Sequence, residues 1–273
     1  MRQPLVYSVM VIPIPSKQQH FKIKVGIRAQ EPGALGIKCY DATKPNTDYI
    51  RRRVPFTYDL FKGKNKGYKE FTLPFPLSPD QLMVDLYDKV FNDDSNFKIE
   101  KFELQKLEGR TVLAEPEMHR FVSFAGDFAC KAGFLSPGIY DSKDGDFLIQ
   151  YLPIIEGDDG RPLVTPARTN RKTGRIQIAQ PAFASFTIPV RLIVLFHERY
   201  HFQIPTRLEK PADLNALRLY LDLGFPKTEA VYATTKIFMA HPDSVGPAHA
   251  KRVKDNIQFI DQYEQGKTLK ANS

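Results

Sequence analysis

The sequence predicts an α+β protein, with a β-rich N-terminal domain over residues 1–112 and a mixed domain over 113–273 whose C-terminal half is helical. Three observations support this prediction. Short segments of alternating apolar and polar residues dominate the chain before residue 110. Helical periodicity dominates it after residue 181. The 273 residues are enough for two domains of ordinary size.

The N-terminal domain is predicted to be a small β-sandwich or barrel. Residues 21–28 alternate apolar and polar side chains throughout, which is the period of a half-buried strand. Clusters of Pro, Gly, Asn and Asp separate this segment from further short strands. Those strands are expected at 5–12, 54–58, 69–75 and 97–107.

One helix is expected among these strands. Ser78 followed by Pro79 is typical of an N-cap and a first helical position. Apolar residues then recur at four-residue spacing, at Leu82, Leu86 and Val90. The pattern therefore predicts a short helix over 79–91.

The second domain begins with a predicted helix that opens at Glu115-Pro116-Glu117 and ends near Ala132, before Gly133. Strands are expected next at 146–155 and 162–168. The turn-forming segment 169–174 joins 162–168 to a further strand, so a hairpin is predicted over 163–179. The remaining chain is predicted to be helical, over 188–203, 211–223, 226–240 and 243–265.

Composition excludes several classes of protein. With 42% hydrophobic and 26% charged residues, the chain is typical of a globular protein rather than a disordered or fibrous one. Cys39 and Cys130 are too few for a disulfide framework and lack the spacing of a thiolate metal site. No apolar run reaches the length of a membrane span. The expected location is cytoplasmic, with association with a virion left open.

The most informative segment is His197-Glu198-Arg199-Tyr200-His201, an H-E-x-x-H motif that follows a strongly apolar stretch. On a helix, His197 and His201 project from the same face and can share one metal ion. Glu198 lies about 100° around the helix axis, where its carboxylate can act on a water molecule without occupying a ligand position. This pattern predicts Zn²⁺ as cofactor and Glu198 as general base.

A third ligand is expected from one of two carboxylates that follow the motif, Glu209 and Asp213. A tight turn after residue 203 would return the chain beside the motif helix, with a new helix beginning near Pro211. Such a helix would hold Asp213 rigidly on its first turn and leave Glu209 in a loop. On this reasoning Asp213 is narrowly preferred, and Glu209 remains the alternative.

The motif resembles that of the zincin metallopeptidases, and Glu209-x-x-Ala212-Asp213 is similar to the E-x-x-A-D/N segment of glutamate-type zincins. In those enzymes the Glu is the third ligand and the following acid supports it, whereas the spacing to Asp213 resembles aspartate-type zincins. The resemblance covers roughly residues 160–240 and implies a zincin-like fold for 113–273. The segments Ala212–Leu217 and Leu223–Pro226 also resemble uncharacterised H-E-x-x-H proteins of bacteria and their phages.

These observations predict a zinc-dependent metallopeptidase that acts on a protein or peptide substrate. The alternative is a non-enzymatic structural or assembly protein, of a virion or a mobile element, with a zincin-like fold. A protein partner is expected to bind through the N-terminal domain. Basic clusters occur along the chain, for example at 51–53 and 251–254, but they are scattered and the net charge is only +8, so nucleic acid is not the expected partner.

Overall fold

The N-terminal part of the protein is built from seven strands in two sheets. The structure is a computed structural model, and it describes residues 6–12, 20–77, 79–88, 96–107, 116–204, 208–238 and 247–263. The strands are β1 (Val6–Ile12), β2 (Phe21–Ala29), β3 (Gly33–Asp41), β4 (Asp48–Phe56), β5 (Tyr68–Phe75), β6 (Leu82–Asp88) and β7 (Phe97–Lys106).

The two sheets pack face to face, so the sandwich is the correct alternative of the two that were predicted. One sheet has the order β1-β6-β3-β4 and the other β5-β2-β7, and every pairing in both is antiparallel. The ring of Tyr49 on β4 contacts that of Phe75 on β5, and Phe56 on β4 contacts Phe97 on β7. Alternate buried side chains of the central strands fill the space between the sheets, among them Ile23, Val25, Leu35 and Ile37.

The helix predicted over 79–91 is wrong within the described residues, because Leu82–Asp88 is a strand. It pairs with β1 on one side and β3 on the other. Leu82, Val84 and Leu86 are all buried, and this two-residue period includes the four-residue spacing from which the helix was predicted. Ser78 and residues 89–91 lie outside the described residues.

The C-terminal part contains a four-stranded sheet and six helices within the described ranges. The strands are β8 (Gly138–Asp141), β9 (Leu148–Leu152), β10 (Ala167–Thr169) and β11 (Ile176–Ala179). The helices are α1 (Pro116–Lys131), α2 (Gln180–Ser185), α3 (Ile188–Gln203), α4 (Glu209–Asp222), α5 (Lys227–Tyr232) and α6 (Pro247–Gln262). A π-helical segment, Ala233–Ile237, continues α5. The α+β class is therefore confirmed.

The sheet has the order β10-β11-β9-β8, with β11 parallel to β9 and the other pairs antiparallel. The predicted hairpin is confirmed, since Ala167 pairs with Ile178 and Thr169 with Ile176. In this sheet β10 is a terminal strand, so one of its edges has no neighbour among the described strands.

The chain divides into two compact units, Met1–Gly109 and Arg110–Ser273. The boundary that the sequence predicted, between residues 112 and 113, lies outside the described residues. Within the described ranges, none of the helices combines the length and the apolar character needed to cross a bilayer.

Helix α3 is the central element of the second unit, and every residue from Ile188 to Arg199 is buried. This includes Arg191, whose side chain is fully buried. Its guanidinium donates hydrogen bonds to the backbone carbonyls of Ala129 at 2.8 Å, Phe183 at 3.1 Å and Ala184 at 2.7 Å. Arg191 thus joins α3 to α1 and α2.

We expect Arg191→Met to destabilise the protein by about 3 kcal/mol or more, because it leaves several buried carbonyls without their donor. Urea unfolding measures the change in the free energy of unfolding. Arg175→Met removes an exposed arginine of the same unit and is the matched control. A loss no larger than that of the control would show that the carbonyl contacts contribute little.

Candidate metal centre

The two motif histidines lie at the C-terminal end of α3, one turn apart, and both are buried. Their Nε2 atoms are 3.0 Å apart, and the rings meet nearly edge to face. The helix places both nitrogens on one side because residues four apart lie one above the other. The predicted pairing of His197 and His201 is therefore present in the structure.

Glu209 completes a group of three donor atoms. Its Oε2 lies 3.3 Å from Nε2 of His197 and 3.4 Å from Nε2 of His201. Atoms that share one tetrahedral ion at about 2.0–2.1 Å lie about 3.3 Å from each other. The side chains of His197, His201 and Glu209 can therefore hold a metal ion without rearrangement.

Asp213, the carboxylate that the sequence predicts as third ligand, lies on the other side of His197. Its Oδ1 is 2.9 Å from Nδ1 of that ring, and its side chain is fully buried. The reason is that α4 begins at Glu209 and not near Pro211. Glu209 consequently sits in the first helical turn, and Asp213 one turn later. Pro211 is tolerated in that first turn, where backbone N–H groups lack helical partners.

The carboxylates make this site favourable for positive charge. Burial lowers the pKa of His197, but Asp213 and Glu209 outweigh it and raise that pKa to about 10. Burial raises the pKa of Glu209, yet its contacts with His197 and His201 hold it far below the usual range for a carboxyl group. An environment that stabilises a proton on His197 also attracts a metal cation.

Arg252 of α6 supports both carboxylates. Its Nη2 donates to Oδ1 of Asp213 at 2.8 Å and to Oε2 of Glu209 at 3.3 Å. Asn256, one turn further along α6, donates to Oδ2 of Asp213 at 2.8 Å. Burial raises the pKa of Asp213, but Arg252 and His197 outweigh it and keep that carboxyl group ionised. The basic cluster 251–254 thus contributes one arginine to the candidate site.

Glu198 lines the same cleft as the three donor residues. The hydroxyl of Thr169, on β10, lies 2.8 Å from Oε2 of Glu198 and 2.8 Å from its backbone oxygen. Thr169 can donate its single hydrogen to either oxygen. The terminal strand of the sheet and the predicted base are therefore in direct contact.

Phe238 forms part of the wall of this cleft. It directly follows the π-helical segment Ala233–Ile237, and its ring centroid is 4.7 Å from that of His197. The guanidinium of Arg252 lies 5.9 Å from the Phe238 ring centroid. Single π-helical turns are frequent at functional sites, where they displace the residues that follow. The sequence predicts an ordinary helix over 226–240, and this helix gives no indication that Phe238 contacts His197.

The sequence therefore predicts the motif and both candidate carboxylates but not the residues around them. These are Thr169, Phe238, Arg252 and Asn256. For Thr169 a signal existed, because the predicted hairpin over 163–179 closely precedes the motif helix in the sequence. For the other three the sequence carries no periodicity or spacing that relates them to His197.

Comparisons with known proteins do not assign a family. The sequence matches no protein-family model and none of the curated proteins with which it was compared. A solved structure described as "CBM4 structure and function" is similar to 36% of this chain, at 14% identity and a TM-score of 0.27. The chain covers 59% of that structure. A TM-score this low identifies no shared fold.

Proposed function

We propose that the protein is a zinc-dependent metallopeptidase that hydrolyses peptide bonds. The observation that carries the proposal is the triangle formed by Nε2 of His197, Nε2 of His201 and Oε2 of Glu209, with sides of 3.0, 3.3 and 3.4 Å. Glu198, a carboxylate outside the donor group, lines the same cleft. Three protein ligands with a separate acid nearby are typical of a catalytic rather than a structural zinc site.

The donor set fits Zn²⁺ better than the other common divalent ions. Two imidazoles and one carboxylate suit zinc, whereas Mg²⁺ and Ca²⁺ prefer sites made of oxygen ligands alone. When bound, the ion would polarise a carbonyl group and lower the pKa of a water molecule.

In this proposal Glu198 moves the proton. Its carboxylate accepts a proton from the attacking water and delivers it to the nitrogen of the leaving amine. The Thr169 hydroxyl, 2.8 Å from Oε2, limits the orientations that this carboxylate can adopt. Glu198 is buried, so bulk water competes little for the same oxygens.

Asp213 positions His197. A carboxylate oxygen 2.9 Å from Nδ1 favours, by its negative charge, the tautomer that carries its hydrogen there, which leaves Nε2 free as a ligand atom. Arg252 and Asn256 in turn hold Asp213 through hydrogen bonds. The supporting residues thus come from α6, far along the chain from the motif.

The substrate would bind along β10. Residues 163–169 line the cleft continuously, and β10 is a terminal strand of its sheet. An extended peptide can pair with the backbone groups of such an edge, and this binding depends little on the peptide sequence.

Hydrolysis of a mixed library of peptides tests the proposed function. We expect cleavage by the purified protein with one equivalent of zinc, loss of cleavage in the presence of a chelator, and recovery when zinc is restored. Mass spectrometry of the products identifies the bonds cut. Zinc binding without any hydrolysis would contradict the proposal and favour a structural role for the ion.

The ligand assignment gives a separate prediction. We expect Glu209→Gln to lose most of the affinity for zinc, since it removes one of three ligands. Asp213→Asn should lose less, about 10–100-fold, because it weakens only the support of His197. Competition with a chromophoric chelator measures both affinities. A larger loss for Asp213→Asn would restore Asp213 as the ligand.

A further inference from the structure

The cleft around the donor group contains more positive than negative groups once the metal ligands are set aside. Its carboxylates are Glu198 and Glu209, and both belong to the proposed zinc chemistry. Arg252 is engaged with Asp213 and Glu209. Two further arginines, Arg168 and Arg171, also line the cleft. Their role is not accounted for by metal binding or by proton transfer.

Arg168 is held in place by a short chain of hydrogen bonds. Its Nε donates to Oε1 of Gln177 at 2.6 Å, and Nε2 of Gln177 donates to Oε1 of Gln150 at 3.0 Å. Among the described residues, no carboxylate lies within ion-pair distance of the Arg168 guanidinium. Within the described ranges, the two terminal nitrogens of that group make no hydrogen bond, and their planar arrangement is the one that binds a carboxylate through two hydrogen bonds.

The strand register shows which face of the sheet Arg168 occupies. Arg168 on β10 pairs with Gln177 on β11, which pairs with Gln150 on β9, so the three side chains form one row across the sheet. Thr169, the next residue of β10, contacts Glu198 on α3. Because successive side chains of a strand alternate, the row that ends at Arg168 lies on the face away from α3.

A peptide that pairs with the edge of β10 that has no neighbour among the described strands would extend this row by one position. One of its side chains would stand directly beside Arg168, at the distance of a cross-strand pair. The residues before and after it in the peptide would face the side of the sheet on which Thr169 and the donor group lie. Arg168 would thus contact one substrate side chain that lies away from the bond to be hydrolysed.

We propose that this row selects substrates with an acidic side chain, Asp or Glu, at the position beside Arg168. The proposal rests on the proposed function, since it assumes that a peptide binds along β10. Opposite charges on a cross-strand pair stabilise the pairing, and a like charge destabilises it. Arg171, exposed at the turn that follows β10, adds positive charge to the same end of the cleft.

Peptide binding tests this selectivity without relying on turnover. The probe is a set of nonapeptides capped at both ends, of mixed sequence, in which one position at a time is fixed as Glu, Gln or Lys. Binding is measured to the Glu198→Gln protein with zinc added, so that peptides stay intact. At one position, we expect Glu to bind about three- to tenfold more tightly than Gln, and Lys more weakly than either.

Two variants identify the residue responsible. Arg168→Gln should remove the preference for Glu over Gln while leaving the affinity for Gln peptides nearly unchanged. Arg175→Gln removes the same charge from the same hairpin, but Arg175 is not among the residues that line the cleft, so the preference should persist. High salt should weaken the preference, as expected for a partly exposed ion pair.

Equal affinity for Glu and Gln peptides at every position would overturn the proposal, and so would an unchanged preference in Arg168→Gln or the absence of any peptide binding. Hydrolysis by the wild-type protein is a separate measurement. A preference for Glu without hydrolysis would contradict the proposed peptidase function but support the selectivity for acidic side chains. Hydrolysis without a preference for Glu would contradict the proposed selectivity but support the peptidase function.

Discussion

Glu198→Gln should lower kcat/KM for peptide hydrolysis by about 10²–10⁴-fold while zinc stays bound. The substitution keeps the size and polarity of the side chain but removes the group that accepts a proton from water. Neither His197, His201 nor Glu209 is changed, so the three donor atoms keep their spacing. Steady-state kinetics and metal analysis of the same preparation check both halves of the expectation.

The control for this experiment is Glu156→Gln, which removes an exposed carboxylate from the loop that follows β9. It changes the same chemical group within the same unit, outside the cleft. We expect it to retain hydrolysis near the wild-type rate. A Glu198→Gln protein that binds zinc and cleaves peptides as fast as wild type would exclude Glu198 as the general base.

The double variant His197→Ala, His201→Ala should abolish zinc binding and hydrolysis together. It removes two of three ligands, and a single carboxylate does not retain Zn²⁺ against solvent. Because both rings are buried, the loss of packing will also cost stability. The measurement is the metal content per chain after purification without added zinc. Retention of about one zinc ion by the double variant would show that the zinc site lies elsewhere.

Two further variants separate loss of ligands from loss of folding. His197→Gln, His201→Gln keeps side chains of comparable length in the same places, and circular dichroism shows whether the helices persist. His119→Ala removes a histidine that lines a separate groove on α1 and should leave zinc binding unchanged. If the Gln variant stays folded yet keeps its metal, the two histidines are not ligands.

Local patterns were sufficient for the motif helix and the hairpin before it. His197 and His201 share a face because of their spacing alone, and an apolar stretch before them predicts a buried helix. The structure places both on α3 as expected. The pairing of Ala167 with Ile178 likewise follows from two apolar strands joined by a short turn.

Patterns failed where one spacing fits two structures. Leu82, Val84 and Leu86 are buried on one face of β6, and a four-residue apolar spacing is compatible with either a strand or a helix. The neighbours decide between them, because β1 and β3 supply backbone hydrogen-bond partners on both sides. Strand β3 was missed altogether, since its central residues Ala34 to Ile37 are buried on both faces and show no alternation.

The order of the two carboxylates shows the same limit at the site. Both were identified from the sequence, but their roles depend on where α4 begins. Residues four apart lie on one face of a helix, so a helix that includes both carboxylates places them one above the other beside α3. The helix begins at Glu209, which directs Oε2 of this residue to the two Nε2 atoms and leaves Asp213 against Nδ1 of His197.

The sequence by itself determined the two-part α+β organisation, the motif helix and the set of donor residues from which a metal site can be built. Those features depend on periodicity and on spacings of a few residues, which the chain encodes locally. Only the tertiary structure decided that Glu209 joins the donor group, that Arg252 neutralises Asp213, and that Thr169 contacts Glu198. These pairs are separated by 8 to 39 residues, and the packing of α4 and β10 against α3, and of α6 against α4, brings them together.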